Sequence, residues 1–144
     1  MQSPPCRGAA GIGGEYNPAM NEADVYAAIG EDGFTRLIAA FYRRIPGDSI
    51  LDPMYEGTDL AAAERRLRLF LIGRFNGPQS YIMERGHPRL RMRHVPFKVD
   101  PAASERWLKL MSEAMAETNL PADVEAVLWP YFQSTAAAMV NHAG

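Results

Sequence analysis

Apolar residues recur at the three- and four-residue spacing of an α-helix in one segment after another, and no segment alternates in the two-residue rhythm of a strand. Over 31–45, Phe34, Leu37, Ile38, Phe41, Tyr42 and Ile45 share one face, and Pro46-Gly47-Asp48 stops the pattern. Over 59–75 the face is Leu60, Ala63, Leu67, Phe70 and Leu71, ended by Asn76-Gly77-Pro78. Asp100 and Pro101 read as the N-cap and first helical position of a helix over 101–118, with Ala103, Trp107, Met111, Ala114 and Met115 inward. Pro121 opens the last helix, 121–141, which turns Val124, Leu128, Phe132, Thr135 and Met139 or Val140 inward; Pro130 within it is expected to kink it. Shorter helices are expected over 22–29, capped by Asn21 with Asp24 and ended at Gly30, and over about 88–94. The stretch holding Leu51, Met54 and Tyr55 reads as irregular and 76–87 as loop. This pattern specifies an all-α domain.

At 144 residues and 47% apolar composition the chain holds one domain and can bury a core. Residues 1–20, rich in Gly, Pro, Ala and Ser, lack apolar periodicity and are expected to be a flexible extension, with the folded domain over 21–144. No apolar run approaches the roughly 20 residues of a membrane span, and the N-terminus has no secretory apolar stretch. The single cysteine, Cys6, excludes an internal disulfide framework and a cysteine-built zinc cluster. A reduced, cytoplasmic protein is expected. There is no phosphate-binding glycine motif, HExxH or nucleophile elbow.

The net charge of -2 hides a strong asymmetry. Between Ala61 and Lys98 lie nine basic residues, Arg65, Arg66, Arg68, Arg74, Arg85, Arg89, Arg91, Arg93 and Lys98, against Glu64 and Glu84. That segment is therefore +7 and the remainder -9. Such a segment is either a solvated helix face or a match for an anionic partner: nucleic acid, phosphate or a carboxylate-bearing cofactor. Nucleic acid fits poorly, since the whole chain is slightly acidic and no helix-turn-helix cue is present.

Of the three histidines, His142 is terminal and His87 sits in a Gly/Pro loop. His94 shares an apolar stripe with Leu90, four residues before it, and Phe97 follows after a proline break. Its plain reading is a partly buried imidazole bonded to a backbone carbonyl. Tyr42, Tyr55 and Trp107 each carry a donor toward the interior, and buried donors need acceptors. They make a polar pocket only if they converge.

The stretches FYRRI (41–45), YEGTDLAAAERRLRLFL (55–71), GPQSY (77–81), GHPRLRMRHVPF (86–97), ERWL (105–108) and LWP (128–130) resemble the group II truncated haemoglobins from about residue 24 to 141. The most specific part is the histidine followed by Val-Pro-Phe, with a tryptophan thirteen residues after the histidine. The resemblance implies a truncated globin fold, a two-over-two helical sandwich around haem b. The haem would be non-covalent, since CxxCH is absent. It implies His94 as the proximal iron ligand. It places Tyr42 and Tyr55 on the distal side with Trp107, and Ala63 where many globins carry a distal histidine. Leu67 and Phe70 correspond to apolar walls, with Phe97 on the proximal side. Arg66 corresponds to a partner for a haem propionate, and Arg93 to the arginine that precedes the proximal histidine. Where the family often has a Trp and two glycines before Pro78, this chain reads Arg74-Phe75-Asn76-Gly77.

The resemblance implies reversible binding of dioxygen, with NO and CO as further ligands. Negative charge gathers on the outer oxygen of bound dioxygen, and in a dry pocket each charge-assisted hydrogen bond to it is worth about 1.5–3 kcal/mol. The alternative on the same scaffold is enzymatic: NO dioxygenase or peroxidase-type detoxification, sustained by an external reductase. A monomer or a homodimer is expected.

Overall fold

The structure, a computed structural model, describes residues 17–94 and 97–143. The expected extension therefore falls largely outside the described residues. Its last part is held: the Asn17 N–H donates to the Asp123 carboxylate at 2.9 Å, and Met20 packs against the core.

Among the described residues every regular element is helical. Asn21 and Asp24 close a capping box around the 3₁₀ turn Glu22–Asp24, the Asn21 side chain accepting from the Ala23 N–H and the Asp24 carboxylate from the Asn21 N–H. Helix α1, Val25–Arg43, follows without a gap. The break expected at Gly30 is present inside it: φ is 66° and ψ -176°, a conformation that a side chain would strain. Beyond that break α1 buries Phe34, Leu37, Ile38 and Phe41 completely. At about 1.5–3 kcal/mol each, these side chains anchor the core.

Helix α2, Leu51–Met54, occupies the stretch expected to be irregular. Asp48 begins it, its carboxylate accepting from the Ile50 and Leu51 N–H groups and pairing with Arg106 at 2.5 Å. Helix α3, Leu60–Arg74, is capped by Asp59. Its C-terminus explains how Asn76-Gly77 serves in place of paired glycines. Asn76 adopts φ 77°, the left-handed position that asparagine tolerates best after glycine, and the Gly77 N–H donates to the Ile72 carbonyl at 2.8 Å. A Cβ on Gly77 would lie 2.6 Å from the Tyr26 ring, so glycine is required there by contact.

Residues 76–87, expected to be loop, contain helix α4, Ser80–Arg85. Packing supplies what the local sequence lacks: the Tyr81 ring meets Phe70 edge-on at 5.5 Å, and Glu84 accepts two bonds from Arg65. The short helix α5 is Leu90–His94. Helix α6, Pro101–Thr118, starts as expected, the Asp100 carboxylate accepting from the Ala103 N–H. Helix α7, Ala122–Met139, runs through Pro130, which sits on its exposed side.

Helix α1 packs against both α3 and α6, and α6 packs against α7. This is the two-over-two arrangement expected from the sequence: α1 with α3, α6 with α7, joined through α1 and α6. The short helices α2, α4 and α5 close the space left between the pairs.

Candidate functional site

A cavity of about 380 Å³ opens where α1, α3, α5, α6 and α7 meet, and it is lined mainly by apolar atoms. The residues singled out in the sequence converge on it. Tyr42 comes from the end of α1, Tyr55 from just beyond α2, and Ala63, Arg66, Leu67 and Phe70 from one face of α3. Arg93 and His94 come from α5, Phe97 from the segment after it, and Trp107 from α6.

His94 is held by its own helix. Its Nδ1 lies 2.7 Å from the Leu90 carbonyl oxygen, one turn back. A carbonyl only accepts, so Nδ1 carries a proton, and Nε2 is the nitrogen left to meet a metal. This is the tautomer a metal-ligating histidine requires, oriented through its other nitrogen. The Phe97 ring stands edge-on to the imidazole at 6.3 Å. Among the described residues no three His, Cys, Asp or Glu side chains come together, and His94 is the one imidazole on the cavity wall.

Tyr42 and Tyr55 meet edge-on at 6.1 Å. Burial raises the pKa of the Tyr42 phenol far above its ordinary value, and the Tyr55 charge and hydroxyl raise it further. Burial raises Tyr55 as well, while the neighbouring Tyr42 hydroxyl opposes that rise. An aromatic series ties these phenols to the tryptophan. Phe41, fully buried, lies 5.2 Å from Tyr42 and 5.1 Å from Trp107, and Trp107 lies 5.7 Å from Phe132.

An apolar cavity with one oriented imidazole, phenolic donors and cations at its border suits a flat apolar macrocycle that carries an iron and acidic side groups. Arg66, Arg85 and Arg93 border the cavity without a carboxylate partner among the described residues, and Arg66 and Arg85 are the two whose side chains are not taken up by backbone carbonyls. Arg93 is used differently. Its guanidinium donates to the carbonyls of Pro88 at 2.6 Å, Arg85 at 3.1 Å and His87 at 3.4 Å. It braces the turn leading into α5, and so acts on His94 through the backbone.

The segment carrying His94 is also fastened from the far end of the fold. The Asn141 Nδ2 donates to the carbonyls of His94 at 3.2 Å and Phe97 at 3.0 Å, and its Oδ1 accepts from the Val99 N–H at 2.8 Å. The N–H groups of Asn141 and His142 both donate to the Val99 carbonyl. Exchanging Asn141 for alanine is therefore expected to cost about 1 kcal/mol in stability and to speed haem loss several-fold. Transfer of haem to an excess of an apo-globin acceptor measures this; an unchanged transfer rate would mean that the clamp does not steady His94.

Several lining residues escaped the sequence reading. Tyr81 and Arg85 lie in α4, which was expected to be loop, and Tyr131 and Thr135 lie on α7. Thr135 did leave a signal: it is a polar residue on an otherwise apolar inward face.

Four helices in crossed pairs, enclosing an apolar cavity with a single oriented imidazole, define a globin. The chain belongs to the bacterial-like globin family, whose model matches residues 24–141. It is 35% identical over 116 residues to the group 2 truncated haemoglobin YjbI of Bacillus subtilis, covering 81% of this chain and 87% of that one. The structure of a thermostable haemoglobin from Thermobifida fusca superposes with a TM-score of 0.77 at 45% identity, covering 85% of this chain and 98% of the other. The truncated oxygen-avid haemoglobin of Bacillus subtilis gives 0.77 at 35% identity, covering 81% and 98%. Membership implies a haem cofactor and small gaseous ligands. No helix among the described residues is long and apolar enough to cross a membrane.

Proposed function

We propose that the chain holds haem b without a covalent bond, through His94 Nε2, and binds dioxygen reversibly beside Tyr42, Tyr55 and Trp107. The observation that carries this reading is His94: its Nδ1 is committed to the Leu90 carbonyl, and it faces the same cavity as both phenols and the indole. When bound, the haem supplies an iron that takes a diatomic ligand such as dioxygen, NO or CO. The protein contributes the rest. Leu67 and Phe70 keep the pocket apolar, so water competes poorly for the donors. Tyr42 and Tyr55 keep their protons, because burial holds both above the ordinary tyrosine value of 10.0. Tyr42, Tyr55 and Trp107 are the donors that face the ligand from the cavity wall. Ala63 offers no hydrogen bond and leaves room above the haem plane for a diatomic ligand. Arg66 and Arg85 meet the haem's carboxylates.

Absorption spectra of the haemin-loaded protein in ferric, reduced, oxygenated and carbonyl forms test the reading. A five-coordinate ferrous form that becomes a stable oxygenated form supports it; no stoichiometric Soret band would sink it. Trp107→Phe is expected to raise the dioxygen off-rate at least several-fold, the loss of one charge-assisted bond of about 1.5–3 kcal/mol. An off-rate equal to that of the parent removes Trp107 from the site.

A second reading follows from the number of donors. Tight retention suits chemistry better than delivery, and a related Bacillus subtilis protein is described as oxygen-avid. The chemistry would be oxidation of nitric oxide to nitrate by the held dioxygen. Each turnover leaves the iron one electron short, and a separate reductase must return that electron. Sustained NO consumption with an electron donor distinguishes it from a single stoichiometric reaction.

A further inference from the structure

Among the described residues, the four large apolar side chains most exposed to solvent all fall within one short segment: Ile82 at 47%, Met83 at 84%, Met92 at 61% and Phe97 at 45%. The unpaired cations fall there too. Among the described residues, every Lys and Arg outside 61–98 reaches a carboxylate: Arg36 with Asp32, Arg43 and Arg44 with Glu117, Arg106 with Asp48 and Lys109 with Glu113. Arg85, Arg89, Arg91 and Lys98 are exposed and none has such a partner among the described residues. Arg89 is even held at φ 46°, its N–H donating to His87 Nδ1. A segment that exposes two methionines, an isoleucine and a phenylalanine among arginines has the composition of a protein-binding surface. Phe97 belongs both to this face and to the cavity lining, so the face shares a wall with the haem site.

We infer that the surface formed by α4, α5, Phe97 and Lys98 is the docking face for an acidic one-electron carrier protein, an inference that rests on the turnover reading above. Carboxylates on the carrier meet the arginine rim, and an apolar patch on it covers Met83 and Met92. A haem held in the cavity would take one electron from the reduced carrier across the shared wall, its iron(III) passing to iron(II) as the carrier is oxidised. Arginine suits this partner because its planar fork pairs with carboxylates two bonds at a time. A membrane surface is the weaker match. Membrane-lying helices are long and carry Trp, Phe or Leu on the apolar side. Here two helices of six and five residues are separated by the turn at Gly86.

The test uses the haem-loaded full chain and a reduced acidic [2Fe–2S] ferredoxin as probe. Association is followed by titration calorimetry and reduction of ferric haem by stopped-flow absorbance. Both are expected to weaken steeply with added salt. The double variant Arg89→Glu/Arg91→Glu should lower the bimolecular rate about tenfold or more, within the range that electrostatic steering supplies. Met83→Ser/Met92→Ser should weaken association with little change in its salt dependence. Arg36→Glu, on α1, should do neither, and all these variants should keep the parental Soret spectrum and dioxygen off-rate. A normal spectrum with association indifferent to salt and to the charge reversal overturns the inference alone. Binding to phosphatidylserine vesicles in place of the ferredoxin, lost in the charge-reversed variant, overturns it in favour of a membrane surface. Self-association lost in the same variant overturns it in favour of a contact between copies. A chain that takes up no haem fails the underlying reading and the inference with it.

Discussion

Replacing His94 with alanine is expected to abolish histidine ligation of the iron and with it stable haem retention. Neither other histidine can stand in. His87 and His142 lie outside the cavity, and the Nδ1 of His87 already accepts from the Arg89 N–H. The loss should exceed by far the roughly 10–100-fold that removing an outer-sphere partner of a metal ligand costs. Circular dichroism should stay helical, because His94 lies at the end of a five-residue helix and is not part of the main core. Added imidazole should restore a five-coordinate ferrous spectrum in the variant by filling the space left by the ring. A variant that keeps the parental ferrous spectrum without imidazole would show that His94 is not the ligand.

Phe41→Ala is expected to have the largest effect on stability. Phe41 is fully exchanged from water, and its ring is wedged between Tyr42 and Trp107. Truncating such a ring costs about 3–5 kcal/mol. For a domain of this size the melting midpoint should fall by about 10–20 °C. The site should suffer separately from the fold, since the wedge sets the spacing of a phenol and an indole that line the cavity. Phe41→Leu keeps most of the apolar volume and should cost less than about 1.5 kcal/mol, yet it should still raise the dioxygen off-rate. Calorimetric melting and ligand-release kinetics measure the two effects. A midpoint within a few degrees of the parent in Phe41→Ala would show that the cavity collapses around the missing ring.

What was legible in the chain follows from how local each determinant is. The four long helices carry their own signals: an apolar face repeated over several turns, and terminators such as Pro46, Asn76-Gly77 and Asp100-Pro101. The Gly30 break and the Asn21–Asp24 box are local in the same sense. Helix α4 is not. Its N-cap, Gln79, makes no side-chain capping bond, and its six residues hold because Tyr81 meets Phe70 and Glu84 meets Arg65 from another helix. Short segments stabilised from outside look like loops from inside. The site divides the same way. His94, the tyrosines and Trp107 could be named by chemical type and by resemblance. Tyr81 and Arg85 could not, because their place at the cavity depends on α4 being a helix. Arg93 matches by resemblance the arginine that precedes the proximal histidine, and only the fold reveals that its guanidinium is turned to the carbonyls of the preceding turn.

The Asn141 clamp has a consequence for the order in which the molecule is made. The residue that steadies the His94 segment lies 47 positions further along the chain. During synthesis, α1 and α3 emerge and can pair while the partner of that segment does not yet exist. The iron-binding wall is finished only when α7 has been translated and has folded back. Loading of the cofactor is thereby deferred until the sandwich is complete, and a nascent fragment that already displays the histidine holds it loosely.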